Sequence, residues 1–205
     1  MLMEYRWPER KVKKRLYFGF VSQSDMVWLS ETKQCFNVSV PGFKVFYNCS
    51  KHGAHRGGIM LLVKDKLLEF VQCVNMESEG QIWVTLNFLI TYKLGGVYIP
   101  PDDSPYFEQV DLGILASNTV ESGNLVVLGD LNGRVAVPNI NDSNNAPYVY
   151  SGVVDLTVNA RGKSLVNMCA NNKLVIANHL KCNSRQLGGN LSYRKGSQWI
   201  SKFDL

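Results

Sequence analysis

The chain has 205 residues, with 22 Lys+Arg against 17 Asp+Glu for a net charge of +5, and 45% of its residues are apolar. That composition excludes intrinsic disorder and supplies one sizeable core, so it predicts one domain or a fragment of a larger one. The longest apolar run, Ile59–Val63, falls far short of the roughly 20 residues of a membrane helix, and the basic start MLMEYRWPERKVKKRLYFGF lacks the apolar core of a signal peptide.

In chain order, Met26–Leu29 reads as a short buried strand leading to Glu31. Gly42–Tyr47 and Gly58–Val63 read as two more, joined by the polar loop Asn48–Gly57. Ile82–Phe88 alternates, with Ile82, Val84, Leu86 and Phe88 on one face and Trp83, Thr85 and Asn87 on the other. Gly95–Ile99 is a strand stopped by Pro100 and Pro101. Ser104 as N-cap and Pro105 at the first helical position predict a helix carrying Phe107, Val110 and Ile114 and closed at Gly123. Leu125–Leu128 is continuously apolar, as in a strand covered on both faces. Arg134–Tyr150 reads as a long loop, Gly162–Asn171 as a second helix with Leu165, Met168 and Cys169 on one stripe, and Leu174–Asn178 as a last strand. The class is mixed α/β.

Five cysteines (Cys35, Cys49, Cys73, Cys169 and Cys182) are odd in number, scattered and without a CxxC pair. They predict neither a disulfide framework nor a zinc site, and fit a reducing compartment. The N-x-S sequons at Asn37, Asn48, Asn141 and Asn190 read as chance in a chain without a secretory signal.

Three segments offer chemistry. In LVVLGDLN (125–132), Asp130 and Asn132 stand two residues apart after a buried strand, so continued extension puts both side chains on one side. A carboxylate there accepts a proton from water and a carboxamide holds a charged oxygen; an ordinary Asp/Asn/Gly turn explains the same letters. In DMVWLSETK (25–33), Glu31 ends a strand as a hard oxygen ligand suited to Mg²⁺, or simply opens a solvated loop. In GGVYIPP (95–101), Tyr98 near a strand end is either a phosphate-positioning phenol or a half-buried core residue. Three strand ends, each delivering a polar group, are what a site built across a sheet edge requires.

These motifs, in this order, resemble the endonuclease/exonuclease/phosphatase superfamily, the fold of apurinic endonucleases and DNase I, and within it the endonuclease domain of LINE-type (non-LTR) retrotransposons. DMVWLSETK is similar to the family's D-I-V-x-L-x-E-T-K motif, GGVYIPP to N-V-Y-x-P-P and LGDLNGRV to G-D-F-N. Asn159-Ala-Arg161-Gly162, Leu165, Cys169, Leu174 and Asn178 follow the N-x-x-G-x-x-L-x-x-x-C…L-x-I-x-N run of these elements, and SYRKGSQWISKFDL (192–205) resembles their T-Y/W…S-x-I-D segment. The resemblance spans residues 24–205, with 1–23 set apart as a non-matching basic segment. It implies a DNase I-like four-layer α/β sandwich, two mixed sheets flanked by helices, incomplete at both ends.

The resemblance also implies hydrolysis of a DNA phosphodiester in a nucleus, with Mg²⁺ or Mn²⁺ held at Glu31. Tyr98, Asp130 and Asn132 would be the catalytic residues and Asp204 a supporting acid. Lys33, Lys51, Arg56, Lys195 and Lys202 are candidates for phosphate contact, or ordinary solvated cations. The family's opening metal-associated Asn has no counterpart in residues 1–23, its closing Ser-Asp-His motif has none before Leu205, and His52, His55 and His179 read as loop residues. The resemblance therefore implies little or no nuclease activity for this stretch alone. Other superfamily phosphodiesterases or phosphatases, and a non-catalytic mobile-element remnant, remain the alternatives.

Overall fold

A computed structural model describes residues 2–6, 21, 23–32, 38–49, 57–101, 104, 115, 117, 124–135, 149–150, 157–176, 180–182, 185–186, 193–195 and 198–201. The chain divides into two compact units, one of residues 1–100, 104–110 and 121–129, the other of 101–103, 111–120 and 130–205.

In the first unit, β1 (Leu2–Arg6), β2 (Met26–Ser30), β3 (Phe43–Asn48) and β4 (Ile59–Lys64) form a mixed sheet in the order β1-β2-β4-β3. β1 pairs parallel with β2, and the β2–β4 and β3–β4 pairs are antiparallel. The strand at Leu2–Arg6 lies in the segment that the sequence sets outside the domain; parallel pairing onto the β2 backbone, rather than local alternation, places it in the sheet.

A second sheet follows. A 3₁₀ turn over Asp65–Phe70 leads to β5 (Val71–Asn75), β6 (Gln81–Asn87) and β7 (Thr91–Tyr98), with β8 (Leu125–Asp130) at the far edge. β5, β6 and β7 pair antiparallel. β8 runs alongside β7 in the same direction: the Lys93 amide donates to the Asn124 carbonyl at 2.8 Å, and further on Gly129 lies against Val97. The expected burial of Leu125–Leu128 on both faces does not hold, because Val126 is 36% exposed and its neighbours are half-buried, as an edge strand allows.

The two sheets face each other across a core of Met26, Trp28, Ile59, Leu61 and Val63 from the first and Ile82, Val84, Leu86 and Leu94 from the second. The opposite face of the first sheet is also buried: Val27, Leu29, Met60 and Leu62 pack with Val21. β2 and β4 are therefore apolar without interruption because both of their faces are covered. Asn48 at the end of β3 joins the sheets' rims, its Nδ2 donating to the carbonyls of Met76, Ser78 and Gln81 at 2.9, 2.6 and 2.9 Å. A carboxamide so engaged explains its place in the fold without any glycan.

The second unit holds α1 (Ala160–Asn171), an antiparallel sheet ordered β11 (Arg185–Gln186), β10 (Leu180–Cys182), β9 (Val149–Tyr150), and the hairpin β12 (Tyr193–Lys195) with β13 (Gln198–Ser201). Leu174–Ile176 is not a strand, contrary to the sequence pattern. Lys173 is left-handed (φ 56°) there, the Leu174 amide returns to the Cys169 carbonyl at 2.8 Å and the Lys173 amide to Ala170 at 3.3 Å. That is a Schellman closure, which uses Leu174 to end the helix. Of the helix expected after Ser104 only Leu115 and Ser117 are described, both helical, and its remainder and most of the loop expected over 134–150 lie outside the described residues.

The paired glycines of GGVYIPP have opposite packing duties. A Cβ on Gly95 would enter the Trp83 ring, and one on Gly96 would enter the Trp28 indole in the inter-sheet core. Gly96→Ala is therefore expected to lower stability by about 1–3 kcal/mol, the usual cost of overpacking. The measurement is the urea midpoint at unchanged m. In a Trp28→Phe background the same substitution should cost less, by a coupling of about 0.5–3 kcal/mol.

Candidate functional site

β2 delivers Glu31. Its strand is fully buried, and the residue after it turns left-handed at φ 52°, a conformation that a glutamate rarely adopts. The kink is held on its far side, where the Thr32 amide donates to the Gly58 carbonyl at 3.2 Å. β7 delivers Tyr98, 7% exposed, whose amide donates to the Gly80 carbonyl at 2.8 Å. Gly80 is left-handed (φ 71°), and a Cβ there would stand 2.6 Å from the Tyr98 carbonyl oxygen, so only glycine fits. The Tyr98 hydroxyl donates to Glu31 Oε1 at 3.3 Å. Two of the candidate residues, 67 positions apart in the chain, are thus brought together.

In the second unit, Asp130 is the last residue of β8 and 8% exposed. The extended run expected through Asn132 does not continue. Asn132 is left-handed at φ 48°, and its amide donates to Asp130 Oδ1 at 3.0 Å. The aspartate closes an Asx turn on its own backbone, so the turn and the candidate site occupy the same residues. Strained non-glycine conformations are found at functional positions more often than elsewhere. Among the described residues the left-handed non-glycines are Glu31, Asn132 and Lys173, and the helix closure accounts for Lys173.

The Asp130–Arg134 turn is fastened to α1. Asn159, the N-cap, accepts from the Gly162 amide at 2.7 Å and from the Arg134 amide at 3.0 Å, and its Nδ2 donates to the Asn132 carbonyl at 3.4 Å. Its own amide donates to the Arg134 carbonyl at 3.2 Å. Arg161, 6% exposed, donates from Nη1 to the Leu131 carbonyl at 3.2 Å. Cβ atoms on Gly133 and Gly162 would run into Leu165 and the Arg134 carbonyl respectively. The sequence shows Asn159-Ala-Arg161-Gly162 as a family-like run, but its attachment to the turn could not be read from spacing.

Of the other candidates, Lys33, Lys51, Arg56, Lys202 and Asp204 lie outside the described residues, as do His52, His55 and His179. Lys195 falls on β12. Among the described residues no group of three or more His, Cys, Asp or Glu side chains is gathered as a metal cage. Within the first unit, the Glu31 carboxylate beside the Tyr98 hydroxyl is a hard oxygen donor of the kind Mg²⁺ takes, one or two at a time, with retained waters. Cys49 is disulfide-bonded, which corrects the expectation drawn from cysteine number and spacing. Sequence spacing does not report which thiols meet in space. No described helix is long and apolar enough to cross a membrane.

No family model and no curated protein sequence matches the chain. Among solved structures it is similar to the AP endonuclease LMAP from Leishmania major, with 12% identity and a TM-score of 0.68 over 98% of this chain and 76% of that one. It is also similar to the catalytic domain of Xenopus laevis APE2, with 15% identity and a TM-score of 0.55 over 82% of this chain and 67% of that one. The chain has the DNase I-like α/β fold of these AP endonucleases.

Cys169, on the buried face of α1, has its thiol pushed up to about 11 by burial, whereas Cys73 on β5 is exposed. The thiolate is the reactive form. At pH 8, iodoacetamide should therefore modify Cys73 in the folded chain and Cys169 only after denaturation, as peptide mass mapping would show. Modification of both at equal rates would mean that α1 does not pack as described.

Proposed function

We propose that the chain is a metal-dependent phosphodiesterase that nicks nuclear DNA, of the branch found as the endonuclease of non-LTR retrotransposons. The observation that carries the reading is the bond from the Tyr98 hydroxyl to the Glu31 carboxylate, which joins two motif residues at the ends of strands from facing sheets. The likeness to AP endonucleases supports the phosphodiesterase class. The Asn159–Gly162 run and the order of the motifs support the retrotransposon branch.

In this reading Glu31 and its surroundings hold Mg²⁺ or Mn²⁺, which supplies neutralisation of charge developing on the phosphate. The Glu31–Tyr98 bond orients the carboxylate and leaves the phenol aimed at a phosphate oxygen. Asp130 orients the attacking water and takes its proton. Asn132 offers a carboxamide donor to a non-bridging oxygen, where a fixed donor favours the transition state over the ground state. Cations such as Lys195 contribute contacts with the DNA backbone, which makes binding salt-dependent.

The test joins a binding arm and an activity arm. Mn²⁺ binding, followed by the electron paramagnetic resonance of the free ion, should weaken at least about ten-fold in Glu31→Gln if the carboxylate is a ligand. Nicking of supercoiled plasmid should need Mg²⁺ or Mn²⁺ and stop with EDTA. It should fall by about 10² or more in Asp130→Asn, as removal of one member of a catalytic unit commonly does. Nicking that survives EDTA, or that Asp130→Asn leaves unchanged, overturns the reading.

A further inference from the structure

We infer that Arg161, with Asn159, is a positioning residue that sets the conformation of the Asp130–Arg134 turn. Its consequence for catalysis rests on the roles proposed above for Asp130 and Asn132; its effect on the turn does not.

Arg161 stands where a cation is doubly disfavoured. It is 6% exposed, and a buried guanidinium is costly unless it is hydrogen-bonded. It is also the second residue of α1, at the end of the helix where the backbone dipole is positive and favours anions. Packing or helix stability alone would be served better by an apolar or acidic side chain. One contact that offsets these costs is the bond from Nη1 to the carbonyl of Leu131, itself 3% exposed and set between Asp130 and Asn132.

Asn159 fixes the other side of the same turn. Its side chain meets the Asn132 carbonyl and the Arg134 amide, two backbone groups on either side of Gly133. Two side chains from one helix N-terminus thus engage backbone groups of Leu131, Asn132 and Arg134. A left-handed asparagine persists where its surroundings over-determine it, and these bonds are such surroundings. The amide of Asn132 then remains against Asp130 Oδ1, which fixes the rotamer of the carboxylate as well.

The experiment uses the full chain with Arg161→Met, which keeps volume and removes the donors, Arg161→Lys, which retains one, and Cys169→Ser, which loosens the same helix away from the turn. Amide hydrogen exchange by NMR reads the turn directly. In Arg161→Met, protection at Asn132 and Arg134 should fall about ten-fold beyond any loss at Leu165 and Cys169 in the helix. Nicking kcat should fall about ten- to a hundred-fold with KM for DNA within two-fold, the signature of a lost transition-state arrangement. Arg161→Lys should recover most of both, and Cys169→Ser should lower the melting temperature while leaving kcat and turn protection in place. Turn amides in Arg161→Met that lose no more protection than helix amides overturn the inference. So does a kcat that follows melting temperature alike in Arg161→Met and Cys169→Ser. A wild-type chain that does not nick removes the proposed function, while the exchange result still decides whether Arg161 holds the turn.

Discussion

The contact on which most of the first unit depends is that of the Trp28 indole with Gly96. Trp28 is fully buried between the sheets, and the space it occupies is the space a side chain on residue 96 would need. A broad rigid ring seated on a bare backbone leaves little freedom to slide one sheet along the other, because close-packed interiors resist shifts of even a methylene. Glu31 follows Trp28 by three residues and Tyr98 follows Gly96 by two. The lock therefore lies within a few residues of the pair it aligns, and the 3.3 Å bond between tyrosine and glutamate is its downstream result.

That arrangement accepts a cost. The Trp28 Nε1 and Gln81 Nε2 donors are buried without a hydrogen-bond partner among the described residues, and an unsatisfied buried donor costs about 1–3 kcal/mol. A phenylalanine would avoid the first cost but would leave part of the space above Gly96 empty. At this position shape outweighs hydrogen-bond satisfaction. Trp83 on the other face shows the usual solution, since its Nε1 donates to Gln81 Oε1 at 2.8 Å.

The strands of the sandwich were legible because burial writes itself into pattern. β2 and β4 are covered on both faces and read as unbroken apolar runs, while β6 alternates in its letters although Gln81–Val84 are all buried, Trp83 and Gln81 on the face opposite Ile82 and Val84. Elements fixed by distant backbone pairing were not legible. β1 is placed by its parallel pairing with β2, and the exposed, partly polar VQCVN of β5 carries no periodic signal. Leu174–Ile176 has a strand's composition, but Leu174 is taken by the closure of α1. The candidate residues could be picked out by type and order. Their geometry could not: nothing in the letters says that Glu31 and Asn132 turn left-handed, or that the apparent glycine doublet at 95–96 makes room for two tryptophans on opposite faces.

The two halves of the candidate machinery are stabilised in different ways, and this follows from where each lies. Glu31 and Tyr98 sit at the rim of a large inter-sheet core, so apolar packing can hold their strand ends and a single polar bond suffices between them. Asp130 and Asn132 sit on a short turn after an edge strand that is only half-buried, where packing has less to grip. There the conformation is held by directional bonds from Asn159 and Arg161 and by backbone contact at Gly133 and Gly162. Polar fastening of this kind is stiff while every partner is present and fails sharply when one is removed, because each loss leaves a buried group unsatisfied. A core-held residue instead yields gradually as neighbours repack. The turn is therefore the part of the candidate site whose geometry depends most steeply on individual side chains remote from the reacting atoms.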